Sequence, residues 1–114
     1  MSEITTHILD TALGKPAAGV GVRLERQELD RRKTGRWAPV SASETDGDGR
    51  CRDLAQNAPA GIYRLTFETG EYLGRQGRTT IYPEIVITFT CIGEGHYHLP
   101  LLLSDNSYTT YRGS

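Results

Sequence analysis

Histidine and arginine side chains are the residues of this sequence best suited to proton transfer and charge stabilisation. The chain has three histidines: His7 near the amino terminus, and His96 and His98 on either side of a tyrosine. Imidazole takes up and releases protons near neutral pH, and a guanidinium such as that of Arg50 stabilises an oxyanion. Such a set suits general acid–base attack of water on a carbonyl group. The polar candidates are His7, Arg50, His96, His98, Tyr111, Arg112 and Ser114.

Other kinds of chemistry find less support in the sequence. There is no Gly-x-Ser-x-Gly motif for a nucleophilic serine, and neither Cys51 nor Cys91 sits in an activating motif. We expect both cysteines to be reduced thiols, because no secretory signal accompanies them. His96 and His98 share one side of a strand and could bind zinc with His7, but no Cys, Asp or Glu is placed to help. We therefore predict neither a metal nor a cofactor.

Each candidate also has a purely structural interpretation. A lone histidine on a strand is more often a surface or packing residue than a catalyst. Arg50 follows a glycine-rich turn and could be a solvated cation. Tyr111 could pack across strands, and Arg112 could form a weak ion pair with the terminal carboxylate. The elements that position these residues therefore decide between chemistry and packing.

Length and charge exclude several classes of protein. The 114 residues predict one domain, 1–114, with a net charge of −1. The sequence has no excess or cluster of basic residues of the kind that binds nucleic acid or a membrane surface. No apolar run approaches the ~20 residues that a membrane span needs. The first residues lack the basic and apolar regions of a signal peptide, so we expect a cytoplasmic protein.

Alternating apolar residues predict an all-β protein. Ile4, Thr6 and Ile8 share one face of a strand, which places His7 on the face turned away from the core. The alternation in 62–68 likewise turns every second residue inward, namely Tyr63, Leu65 and Phe67. Seven or eight short strands are separated by turn signals, and 69–78 is the one plausible helix. This pattern is typical of an antiparallel β-sandwich of two sheets with one short helix.

The strand 96–103 is apolar on both of its faces. Tyr97 and every second residue after it form one set, while His98, Pro100 and Leu102 form the other. A core between two sheets covers only one face, so the second is expected to meet another subunit. His98 and His7 would then lie at a subunit interface, where a partly dry environment can shift a histidine pKa.

Four segments of the sequence resemble the 5-hydroxyisourate hydrolases, the enzymatic branch of the transthyretin-like proteins. They extend over nearly the whole chain in the order typical of that family. The terminal Tyr-Arg-Gly-Ser is highly specific, because it separates the hydrolases from the transthyretin carriers. The segments are residues 6–10 with 14–17, residues 45–50, residues 82–85 with 88–89, and residues 96–104 continuing to 111–114.

The resemblance implies a prealbumin-like sandwich with a short helix after the fifth strand. It also implies a homotetramer, a dimer of dimers, whose central channel holds the active sites. The implied catalytic residues are His7, Arg50 and His98, and the implied substrate-binding residues are Tyr111, Arg112, Gly113 and Ser114. The implied reaction opens the six-membered ring of 5-hydroxyisourate, the product of urate oxidation, by hydrolysis of a lactam bond. The choice of histidine for the base stays open.

Two stretches depart from the family pattern. Asp105-Asn106-Ser107 stands where the family has Pro-Tyr-Gly, and the charged loop 28–36 is longer than usual. Neither includes a proposed site residue. A carrier of small hydrophobic ligands is the alternative function, but His7, Arg50, His98 and Tyr111 would make its channel polar and shallow. A structural or adhesive sandwich module is a third alternative, which would have no use for the terminal motif.

Overall fold

A computed structural model describes residues 1–29 and 35–113. Strands dominate these residues, and none of their helices is long and apolar enough to cross a membrane. In chain order the elements are β1 Ser2–Asp10, β2 Lys15–Pro16, β3 Gly21–Leu29, β4 Gly35–Glu44, β5 Arg50–Ala58, β6 Gly61–Phe67, α1 Thr69–Gly74, β7 Ile85–Cys91, β8 His96–Leu103 and β9 Tyr108–Thr110.

The strands form two sheets, which confirms the predicted all-β sandwich with one short helix. The first sheet has the order β2-β1-β8-β9, with β5 also paired to β1, and the second has the order β4-β3-β6-β7. The pair β1–β8 is parallel, whereas the other strand pairs of the described residues are antiparallel. This parallel pair departs from the predicted antiparallel pairing, and it places the amino-terminal strand beside the carboxy-terminal histidines.

The core lies between the sheets on the predicted faces. Ile4, Thr6 and Ile8 are 0% exposed, so the inward face of β1 is the expected one. Tyr63, Leu65 and Phe67 of β6 are buried in the same core cluster, and His7 is not part of it. Full burial of each large apolar side chain stabilises the fold by about 1.5–3 kcal/mol. This burial holds β1 in place and leaves its opposite face available for polar residues.

Several local predictions are confirmed and others are adjusted. Pro39 lies in the edge strand β4, next to a register shift, as expected of a residue without a backbone N–H. The helix ends at Gly74, earlier than the predicted 78, because Gly74 and Gly77 favour a turn and Gly77 has a φ of 69°. The hairpin loop is shorter than the predicted 28–36, because residues 28–29 pair with residues 35–36 as part of β3 and β4, and residues 30–34 lie outside the described residues.

A buried carboxylate ties β1 to the segments that follow α1 and β8. Asp10 is 0% exposed and accepts hydrogen bonds from Tyr72 Oη at 2.8 Å and Arg78 Nη1 at 2.6 Å. Arg78 also donates to Asp105 at 2.6 Å, within the tripeptide that departs from the family pattern. Burial raises the pKa of Asp10, but the hydrogen bonds from Arg78 and Tyr72 outweigh burial and leave that pKa below its usual value.

Replacing Asp10 with alanine is expected to lower the free energy of unfolding by about 3 kcal/mol, because the variant leaves buried partners unpaired. Urea unfolding monitored by circular dichroism measures the loss. The Asp10 contribution is present above the unfolded carboxyl pKa of about 3.9 and is lost as the pH falls through the lower folded pKa. Glu68→Ala is the control, since it removes an exposed ion pair with Arg23 that is worth at most ~1 kcal/mol. Equal losses in the two variants would contradict the assignment.

Candidate active site

Strand register brings the candidate residues of three strands together. In the parallel pair, Thr5 of β1 lies opposite His98 of β8. On the other side of β1, His7 lies opposite Arg50 of β5. Side chains of a strand alternate between its faces, so the outward face of β1 carries both Thr5 and His7. The outer face of the first sheet therefore collects two predicted histidines and the predicted arginine.

The turn before Arg50 determines where its side chain enters the site. The Asp46 carboxylate accepts hydrogen bonds from the backbone N–H groups of Asp48 and Arg50. Gly49 has a φ of 76°, and a Cβ there would collide with the carbonyl oxygen of Ile8. The N–H of Ile8 donates to the carbonyl oxygen of Gly49 at 2.8 Å. A glycine is therefore needed for β5 to begin alongside β1 at Arg50.

The outer face of the first sheet contains a pocket of about 270 Å³. Arg50 and His98 both line it, whereas His7 lies beside Arg50 on β1 and is not among the lining residues. The pocket therefore contains an imidazole and a guanidinium within one small volume. Its lining residues are Glu3, Thr5, Thr6, Arg50, Arg52, His96 and His98.

Thr5 lies at the centre of the polar contacts in this pocket. Its Oγ1 is 2.7 Å from His96 Nε2 and 2.7 Å from His98 Nδ1. Thr5 is only 7% exposed, so its hydroxyl is shielded and depends on these two rings for hydrogen bonds. His96 is exposed and His98 is half-buried. The hydroxyl thus connects an imidazole inside the pocket to one that faces solvent.

His98 has neighbours on two edges of its ring, and its surroundings favour the neutral imidazole. Thr5 contacts Nδ1, while a Cβ at Gly113 would approach Cδ2 to 2.8 Å. Burial lowers the pKa of His98, and electrostatic interactions with His96, Arg50 and His7 lower it further. A neutral imidazole with a fixed orientation can accept a proton, as a general base must.

The carboxy-terminal residues pack against the strand that carries His98. The Gly113 N–H donates to the His98 carbonyl oxygen at 2.7 Å, and the Arg112 guanidinium lies 4.1 Å from the centre of the Tyr97 ring. Arg112 Nη2 also donates to the His96 carbonyl oxygen at 3.3 Å. Tyr111 is 52% exposed, and the predicted substrate-binding residue Ser114 lies outside the described residues. The terminal segment therefore folds back to the rim of the site.

Sequence comparison places this sandwich among known proteins. A model of the HIUase/Transthyretin family matches residues 4–113. The chain belongs to this family. It is 44% identical to the 5-hydroxyisourate hydrolase of Mus musculus, over 99% of this chain and 96% of the relative. It is 42% identical to the 5-hydroxyisourate hydrolase of Caulobacter vibrioides, over 100% of both chains.

Solved structures of the HIUase/transthyretin family share the same architecture. The 5-hydroxyisourate hydrolase of Klebsiella pneumoniae superposes with a TM-score of 0.84 at 40% identity, covering 100% of both chains. The transthyretin of Sparus aurata superposes with a TM-score of 0.88 at 33% identity, covering 97% of this chain and 96% of the other. Members with different names thus share one fold, and the chemistry of the pocket must distinguish them.

Several residues of this protein's pocket were not predicted from the sequence. Thr5, Glu3 and Arg52 line the pocket but were not predicted as site residues. His96 was predicted as a polar candidate and as a possible zinc ligand, but not as a catalytic or substrate-binding residue. A signal for Thr5 was available, because it shares the outward face of its strand with His7 at a spacing of two residues. Its contact with His98 depends on the parallel register of β1 and β8.

The two cysteines of this protein are not placed for nucleophilic chemistry. Cys51 and Cys91 are both free and buried, which confirms the prediction of reduced thiols. Burial raises the pKa of Cys51 to about 11, so its reactive thiolate is scarce at neutral pH. Neither cysteine lines the pocket that contains Arg50 and His98. The ionisable groups of the described pocket are therefore its imidazoles, its guanidiniums and the Glu3 carboxylate.

Proposed function

We propose that this protein hydrolyses 5-hydroxyisourate in the degradation of urate, opening the ring at its lactam bond. The observation that carries the proposal is the single pocket shared by Arg50 and His98. Relatives named 5-hydroxyisourate hydrolase, which match the full chain at 42–44% identity, support the same activity. Hydrolysis of a ring carbonyl needs a base for water and a cation for the developing oxyanion, and this pocket holds both.

His98 is the general base of the proposed mechanism. Its lowered pKa keeps the ring neutral, and Thr5 and Gly113 hold its orientation. It takes a proton from the water molecule that attacks the ring carbonyl carbon. His7 lies on the strand next to Arg50 and helps to place that water and the substrate. Positioned proton transfer of this kind contributes about 10²–10⁴-fold to the rate of a reaction.

Arg50 stabilises the negative charge that develops on the carbonyl oxygen during attack. The guanidinium remains charged at every pH of interest and presents a planar fork of N–H donors. Collapse of the tetrahedral intermediate breaks the ring C–N bond and leaves a carboxylate on the former carbonyl carbon. The proton taken from water is then available for the leaving nitrogen. Water is thus the only co-reactant.

The carboxy-terminal segment is proposed to bind the substrate. Arg112 and Gly113 pack against β8 beside the two histidines, which places them at the rim of the pocket. Tyr111 is exposed in the single chain and is available to close the site from a neighbouring subunit. Ser114 completes the proposed set of substrate-binding residues, Tyr111, Arg112, Gly113 and Ser114.

The carrier function is not favoured for this member of the family. Sea bream transthyretin, whose structure was solved in complex with thyroxine, superposes with a TM-score of 0.87 at 32% identity. A carrier of an apolar ligand needs a pocket lined mainly by apolar side chains. The pocket of this chain is lined by two arginines, two histidines, a glutamate and two threonines. Its lining suits a small polar substrate.

We also propose a homotetramer, a dimer of dimers that works in the cytoplasm. The outer face of the first sheet carries partly buried apolar residues beside the pocket, including Leu9 and Leu102. A partner subunit on this face would cover them and deepen the open pocket. Light scattering coupled to gel filtration measures the assembly mass, and a monomer would contradict the proposal. Cell fractionation tests the location.

The experiment for the proposed activity generates 5-hydroxyisourate from urate with urate oxidase. Decay of the ultraviolet absorbance of 5-hydroxyisourate is then followed with and without the protein. We expect the decay to accelerate in proportion to the concentration of the protein. Heat-denatured protein at the same concentration is the matched control. A decay rate equal to the spontaneous one would refute the proposed function.

A further inference from the structure

The hydroxyl group between His96 and His98 imposes a direction on its hydrogen bonds. Thr5 Oγ1 lies 2.7 Å from one nitrogen of each ring, Nε2 of His96 and Nδ1 of His98. A threonine hydroxyl carries one proton, so it can donate to only one of these nitrogens. The other nitrogen must carry its own proton and donate it to Thr5. The tautomers of the two histidines are therefore coupled.

We propose that Thr5 is a positioning residue that holds the proton of His98 on Nδ1 and links His98 to His96 as a path for protons. In this arrangement His98 Nδ1–H donates to Thr5, and the Thr5 hydroxyl donates to His96 Nε2. Nε2 of His98 is then free to accept a proton from water. The inference rests on the proposed hydrolase function and adds two residues, Thr5 and His96, to its machinery.

The surroundings of His98 favour this direction over the opposite one. Thr5 and Gly113 occupy the Nδ1 and Cδ2 edges of the ring, so Nε2 is the nitrogen left for the substrate. Arg50 and Arg52 line the same pocket, and a cation that faces this open nitrogen favours a lone pair there over an N–H group. The charged and titratable groups around His98, from the strands and the carboxy-terminal segment, are Glu3, His7, Arg50, Arg52, His96 and Arg112.

The path moves one proton without leaving a charge on His98. When His98 Nε2 takes a proton from water, the Nδ1 proton passes to Thr5 and the Thr5 proton passes to His96. Water has lost one proton, His98 is neutral, and His96 has become an imidazolium. The reverse shift returns a proton through Thr5 while His98 Nε2–H protonates the leaving nitrogen. His96 is exposed, so the positive charge is solvated rather than held beside Arg50.

The substitutions Thr5→Val and Thr5→Ser separate the hydroxyl from the shape of the side chain. Thr5→Val is expected to lower kcat by about 10–100-fold with little change in KM, because a misoriented base loses part of the rate that positioned proton transfer contributes. Thr5→Ser keeps the hydroxyl and is expected to restore most of the rate. Thr11→Val is the matched control, because that hydroxyl donates to the Leu103 carbonyl oxygen outside the pocket. Equal rates in Thr5→Val and Thr11→Val would overturn the proposal.

Nitrogen-15 NMR of the histidine rings tests the tautomer independently of activity. We expect His98 of the wild-type protein to carry its proton on Nδ1 and to lose that preference in Thr5→Val. A proton on Nε2 in the wild-type protein would overturn the assigned direction. If the wild-type protein fails to hydrolyse 5-hydroxyisourate, the proposed function fails, and the ring spectra still decide the role of Thr5 in positioning.

His96→Gln separates the proton path from the positioning of His98. The glutamine side chain can accept the hydrogen bond from Thr5 but cannot take up a proton near neutral pH. We expect the variant to keep the Nδ1 tautomer of His98 and to show a lower kcat. A wild-type kcat over the whole pH profile would overturn the path to His96.

Discussion

Replacing Arg50 with alanine is expected to lower kcat for 5-hydroxyisourate by on the order of 10²–10³-fold, the usual loss when one donor to an oxyanion is removed. The loss falls mainly on kcat because the charge on the carbonyl oxygen develops only as water attacks. Steady-state kinetics on freshly generated substrate measure it. Arg50 lies at the start of β5 and is half-buried, so its removal leaves the core unchanged.

Two further substitutions test whether the loss of rate is due to the guanidinium of Arg50 and not to the removal of any arginine. Arg50→Lys keeps the positive charge but loses the planar fork of donors, so a partial rate between wild type and Arg50→Ala is expected. Arg23→Ala removes an exposed arginine of the second sheet that pairs with Glu68, and it should keep the wild-type rate. Full activity of Arg50→Ala would exclude Arg50 from the chemistry.

Replacing His98 with asparagine is expected to lower kcat by about 10²–10⁴-fold, the range for loss of a general base. The asparagine amide can still donate a hydrogen bond to Thr5, but it cannot accept a proton from water. The variant therefore separates proton transfer from the packing of the ring between Thr5 and Gly113. Circular dichroism and the thermal midpoint establish that the fold persists. Wild-type turnover would exclude His98 as the base and leave His7 as the remaining imidazole beside Arg50.

The pH dependence of the wild-type enzyme gives a second test of His98. Burial, followed by electrostatic interactions with His96, Arg50 and His7, lowers the pKa of His98. A general base must be unprotonated, so a lowered pKa extends activity toward acidic pH. We expect kcat/KM to fall on acidification with a midpoint below the ordinary imidazole value of about 6.5. An acid limb centred above that value would contradict the assignment.

The sequence by itself determined which face of each strand is buried. Side chains alternate strictly along a strand, so the pattern of Ile4, Thr6 and Ile8 was sufficient to turn His7 away from the core. The same parity placed His98 opposite the buried set of β8, and both placements are confirmed. The family motifs then pointed to Arg50 and the carboxy-terminal segment. Alternation and motifs are local properties, and local properties can be read from a sequence.

Only the tertiary structure decided which outward residues meet. The parallel pairing of β1 with β8 joins segments about ninety residues apart and sets Thr5 opposite His98. Parallel strands are not linked by a turn, so no local signal specifies their register. A shift by one residue would place Thr5 beside a different neighbour and separate the hydroxyl from both rings. The carboxylate of Asp10, likewise, meets Arg78 and Tyr72 only after the strands have packed.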